Sequence, residues 1–154
     1  MNHWIPFSIE HDKPRQVDDL AAAVLDAVPA LARVAGSDDG LKRLDLIAAL
    51  APVARVNGLS VTTGGSFAAS ELDLLSADHR IALSVQAGRA RTNNGALRAV
   101  LAAGAYPEVS WLILLVPERY KGGLTAKPIL EDLRLLATTP GVRLDLDAVL
   151  LAAF

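Results

Sequence analysis

No cysteine occurs in this chain, so it has no disulfide, no thiol nucleophile and no thiolate-bound zinc. That absence suits a reducing cytoplasm, which is the expected location. Histidine is scarce, and His3, His11 and His79 are not set at a metal-binding spacing such as His-Glu-x-x-His. His79 falls in a turn and is expected to be exposed. A nucleophile elbow of the form Gly-x-Ser-x-Gly is missing. Gly36 to Gly40 and Gly64-Gly65 do not make the dinucleotide fingerprint, and Gly122-Gly123 is not followed by the Gly-Lys-Ser/Thr of a phosphate loop. The apolar run at 109–117, VSWLILLVP, is far shorter than the about 20 residues a membrane helix needs, and it reads as a buried strand. The opening stretch MNHWIPFSIEHDKPRQ lacks a basic start followed by an apolar core, so no signal peptide and no membrane partner are expected. A basic excess is also lacking. The net charge is −2, which argues mildly against nucleic acid on global charge, though a local basic patch is compatible with it.

What is present points to one globular domain. The chain has 154 residues, enough to bury a core, and 52% apolar with 21% charged residues is ordinary globular usage. Residues 1–16 read as an irregular arm pinned by Trp4, Ile5 and Phe7. A helical part spans 17–57. Val17, Leu20, Val24, Leu25, Val28 and Leu31 recur at three and four, and a second helix is expected at about 41–57, with Pro29 and Pro52 as possible kinks. A core of hairpin, helix and strand covers 59–117. Its strands are expected at 67–76, 80–87 and 109–116, with a helix capped by Asn93 or Asn94 between the last two. The remainder, 118–154, holds a polar loop, a helix at about 128–137, a strand at about 142–146 and an apolar tail that reads as strand or helix. This order predicts an α/β sandwich with a mixed central sheet.

The stretch Glu71 to Gly88, ELDLLSADHRIALSVQAG, carries the chemistry. Side chains on a strand alternate faces, so Glu71 and Asp73 share one side of the first strand, and Ala82, Ser84 and Gln86 one side of the second. A turn centred near Ala77-Asp78 sets Glu71 opposite Ser84 and Asp73 opposite Ala82. Four polar side chains then gather at one end of the sheet.

Glu71-Leu72-Asp73, a hairpin, then Ala82-Leu83-Ser84-Val85-Gln86-Ala87-Gly88 resembles the PD-(D/E)XK nuclease superfamily. The likeness is to a type II restriction-endonuclease branch with Glu-x-Gln on its second strand. It covers about residues 59–117. It implies a restriction-endonuclease-like three-layer sandwich, Mg²⁺-dependent hydrolysis of DNA phosphodiesters and a homodimer, since cutting both strands takes two sites. Magnesium would polarise the phosphate and activate a water, held by oxygen ligands. By the resemblance Asp73 is the metal-binding acid, Gln86 orients the water, and Asp45 on the second helix is a further candidate ligand. Ser84 stands where the family keeps its second acid. Three explanations are open. The site is degenerate, Glu71 has taken over as second metal ligand, or position 84 has been replaced.

Arg89, Arg91, Asn93 and Arg98 after the hairpin, and Arg119 and Lys121 with Tyr120 and Lys127 in the polar loop, are candidate phosphate contacts. Their default reading is solvated surface charge. The leading expectation is a DNA-binding protein of the nuclease fold. The alternative is a non-catalytic module that binds a protein partner inside a defence or mobile-element system, which the acidic balance and the missing acid favour.

Overall fold

Apolar residues every three and four positions, with Asp18 in the first turn, make the longest helix of the chain, α1 (Arg15–Ala35), which runs on through Pro29. The computed structural model describes residues 1–9, 12–36, 41–62, 66–78, 80–88 and 90–154. Arg89, His11, His79, most of the Gly36–Gly40 turn and Gly64-Gly65 therefore lie outside the described residues.

The expected second helix is two. Leu50 closes α2 (Arg43–Ala49), and α3 (Ala51–Val56) restarts with Pro52 near its beginning, where the missing N–H costs nothing. After the edge strand β2 (Ser60–Val61) comes a short helix, α4 (Phe67–Glu71), in place of the first half of the strand expected at 67–76. Only β3 (Leu74–Leu75) of that segment is extended. It pairs antiparallel with β4 (Ile81–Val85), and β4 leads through α5 (Gly95–Ala105) to the parallel strand β5 (Trp111–Val116). The polar loop contains a small ribbon, β6 (Arg119–Tyr120) with β7 (Gly123–Leu124), and α6 (Ala126–Thr138) follows it. The strand expected at 142–146 lies later. The apolar tail forms β8 (Ala148–Ala153), parallel to β5. Nor is the N-terminal arm irregular, because β1 (Asn2–Pro6) pairs antiparallel with β8.

The result is an α/β fold around a mixed six-stranded sheet in the order β1-β8-β5-β4-β3-β2. Its central strands are buried on both faces, which is why WLILLV and AVLLAA read as continuous apolar runs. One face carries Leu112, Leu114, Val149 and Leu151 against Ala96, Ala99, Val100 and Ala103 of α5 and Ile129 and Leu133 of α6. The small side chains of α5 let that helix lie close to the sheet. The other face carries Leu83, Ile113, Leu115 and Leu150 against Val17, Leu20, Val24 and Leu31 of α1 and Leu46 of α2. Trp111 meets Trp4 edge to face with ring centroids 5.8 Å apart, so both indoles serve packing.

The hairpin register differs from expectation by two residues. Leu74 faces Leu83 and Leu75 faces Ala82. Carried one step further, with Asp73 N–H donating to Leu83 O at 2.8 Å, it places Asp73 opposite Ser84. The turn is the cause. Ser76 Oγ donates to Asp78 Oδ1 at 2.6 Å, and that same oxygen accepts from Arg80 N–H at 3.1 Å. This side-chain bracket lengthens the connection, so that Ser76, the last residue of the expected strand, has its N–H bonded to Ile81 O.

Candidate functional site

Ser84 is fully buried, with Asp73 opposite it on one side and apolar neighbours on the other. Its register neighbour across the parallel pair is Leu114, and beyond that Leu151. A buried hydroxyl in such a position must find partners. Ser84 Oγ donates to the carbonyl oxygen of Glu71 at 2.9 Å and accepts from Gln86 Nε2 at 2.9 Å. Gln86 stays in the ladder through its own N–H to Leu115 O, so its side chain shares the face of Ala82 and Ser84 as alternation requires. Gly95 makes room for it. A Cβ there would come within 2.5 Å of Gln86 Oε1.

Asp73 and Glu71 are both only 8% exposed, yet each is matched by an arginine. Asp73 Oδ2 accepts from Val85 N–H at 2.7 Å, and Oδ1 lies 2.9 Å from Arg43 Nε. The Arg43 N–H is poorly directed at that oxygen, so the contact is an ion pair held by charge more than by hydrogen-bond geometry. Arg43 Nη2 donates to Glu71 O at 3.1 Å. Glu71 Oε1 pairs with Arg98 Nη2 from α5. Burial pushes the Asp73 carboxyl above its ordinary value, against the lowering from Val85 N–H and Arg43.

Of these groups, Arg43, Glu71, Gln86 and Arg98 border an open cleft of about 510 Å³ beyond the C-terminal end of β4. Clefts at that end of parallel strands are the usual ligand positions in α/β sheets. Lys42, Arg43 and Arg98 bring three cations to its wall and Glu71 one carboxylate, with Gln86, Asn93 and Tyr120 also lining it. Tyr120 leans on Gly88, where a Cβ would come within 2.0 Å of its ring.

The structure thus brings Glu71, Asp73, Ser84 and Gln86 together, though Glu71 comes from the end of α4 and not from a strand. Asn93 and Arg98 reach the cleft as expected. Arg91 does not line it and instead borders a small depression with Asp132 of α6. Arg119 turns its guanidinium to Gly122 O in its own ribbon, and Lys121 lies over the Tyr120 ring at 5.6 Å. Asp45 is exposed on α2. It follows Arg43 by two positions, about 200° around the helix, so the turn that aims Arg43 at Asp73 aims Asp45 away. The sequence reading missed Lys42 and Arg43, whereas Tyr120 reaches the cleft from the polar loop where it was expected. Nothing local to Arg43 marks it, because its partners lie far downstream.

This donor set does not fit a magnesium ion. Both oxygens of Asp73 are engaged, Glu71 is paired with Arg98, and Ser84 bonds to protein groups on both sides. The two carboxylate charges are already balanced by two guanidiniums. Among the described residues no group of three His, Asp or Glu side chains converges. Nor is any described helix long and apolar enough to cross a membrane. No family model, curated protein or solved structure matches this chain.

Proposed function

We propose that this chain is a restriction-endonuclease-like protein that binds DNA through the cleft beside Gln86 and has lost metal-dependent cleavage. The observation that carries the reading is the cleft wall, where Arg43 and Arg98 are matched by Asp73 and Glu71 and Lys42 leaves an excess of positive charge. A net negative chain with a locally cationic cleft suits a phosphate backbone better than its global charge suggests. The start of α5 opens on the same cleft and adds the partial positive charge of a helix N-terminus. The loss of cleavage rests on Ser84, a neutral hydroxyl where the resemblance expects an acid, and on the arginine partners of Asp73 and Glu71.

The test is binding of a labelled DNA duplex, followed by fluorescence anisotropy over a salt series. Affinity should fall steeply with salt. Lys42→Ala and Arg98→Ala should each flatten the log–log slope by about 0.9 per lost phosphate contact. Salt-independent binding, or slopes untouched by both variants, would refute the DNA reading. Plasmid incubated with Mg²⁺ or Mn²⁺ should stay intact. Nicking abolished by Asp73→Ala would refute the loss of cleavage.

A protein-binding module is the second reading. One observation favours it: Leu44, Val56 and Val61 are 78%, 84% and 66% exposed. Replacing them with polar residues separates the two readings, because DNA affinity should not change.

A further inference from the structure

A carboxylate as buried as Asp73 needs a counter-charge. In many oxygen-lined sites a divalent cation supplies it. Here the guanidinium of Arg43 does so from an unfavourable starting point. Arg43 is the first residue of α2, and a cation at a helix start works against the helix dipole. Its position is therefore held by what it touches. It spans Asp73 Oδ1 at 2.9 Å and the Glu71 carbonyl oxygen at 3.1 Å. One carboxylate oxygen and one backbone carbonyl oxygen are hard donors of the kind Mg²⁺ and Mn²⁺ take, at about 2.0–2.1 Å for Mg²⁺. A guanidinium and a divalent ion cannot occupy the space between them together.

We propose that Arg43 is the resident cation of this site. It stands between Asp73 and the Glu71 carbonyl in place of a divalent ion, so the native site is closed to such ions, and removing Arg43 opens a divalent-cation site built on Asp73. This deepens the reading of a non-cleaving site, but it is tested with no nucleic acid present. The Glu71 carbonyl is fixed independently of Arg43 by Ser84 Oγ, so one of the two donors stays in place when the guanidinium is gone. Asp73 Oδ2 likewise keeps the Val85 N–H.

The probe is Mn²⁺ alone, followed by titration calorimetry and by paramagnetic broadening of the Val85 amide, which bonds directly to Asp73. In the native chain that amide should stay sharp. Arg43→Ala should bind Mn²⁺ roughly 10–100-fold more tightly, the scale on which neighbouring groups tune metal affinity, with broadening at Val85. Arg43→Ala with Asp73→Asn should lose both effects. Broadening of Val85 by Mn²⁺ in the native chain overturns the proposal, whatever the variants do. So does an Arg43→Ala protein, folded by circular dichroism, that binds Mn²⁺ no better than the native chain. DNA binding can fail in its own assay without altering any of these outcomes.

Discussion

Ser84 Oγ bonds to the carbonyl oxygen of Glu71 at 2.9 Å, and that bond ties the end of a helix to the middle of a buried strand. Ser84 has no exposed surface. A glutamate here would bring a charge into a fully buried position beside Leu114, facing a carbonyl oxygen and the Asp73 carboxylate across the hairpin. Ser84→Glu should therefore cost about 3–5 kcal/mol, the scale of an uncompensated buried charge. Ser84→Ala should cost less, about 1–3 kcal/mol, because it leaves Gln86 Nε2 without its acceptor. Urea denaturation measures both. A Ser84→Glu protein as stable as the native chain would mean that the position accepts an acid readily.

Asp73 links stability to pH, and the sign follows from its raised carboxyl. Its ordinary value is 3.8, and burial lifts the folded one above that. Between the two values the native state holds a proton that the unfolded chain has released. The contribution is fully present below the ordinary value and is lost as pH rises through the folded one. The stability of the native chain minus that of Asp73→Asn should therefore fall with rising pH across this window and then level off. A difference that grows with pH would mean that Arg43 outweighs burial. Arg43→Gln removes a lowering influence and should move the Asp73 carboxyl titration, followed by NMR, further upward.

Long periodic segments were legible in the sequence, and long-range partners were not. The spacing from Val17 to Leu31 marks α1, and the run from Trp111 to Val116 marks β5, because each pattern is complete within its own element. The strand β1 has no such signal, since its partner β8 lies at the other end of the chain. Phe67 to Glu71 is too short to show a period, and reading it as a strand continued the extended pattern back from Leu74 and Leu75. The gathering of Asp73, Ser84 and Gln86 follows from alternation alone and was legible. The register was not, because Ser76 and Asp78 lengthen the turn through their side chains. Arg43 reads as a surface cation until the fold sets it against Asp73.

The pair Glu71 and Arg98 joins α4 to α5, but its two ends differ in setting. Glu71 is buried, while the Arg98 side chain is 52% exposed. Water screens the exposed end, so a double-mutant cycle with Glu71→Gln and Arg98→Met should give a coupling of only about 0.2–1 kcal/mol. That coupling should shrink as salt is added. A larger, salt-independent value would show that the guanidinium is held out of water in solution.

Gly88 governs the shape of the cleft without touching its charge. A Cβ at this position would lie 2.0, 2.1 and 2.4 Å from three atoms of the Tyr120 ring, so Gly88→Ala has to displace that ring. Overpacking of this kind costs about 1–3 kcal/mol. Tyr120→Ala empties the space, so the double variant should recover part of the loss, and a cycle should show the two changes to be coupled. Tyr120 lines the cleft beside Arg98, and its movement alters the wall that a DNA backbone would meet. Gly88→Ala should therefore weaken duplex binding at every salt concentration by a similar factor. The slope against log salt should stay that of the native chain, because no cation is removed. A changed slope would place Arg98 or Lys42, and not the ring, under the control of Gly88.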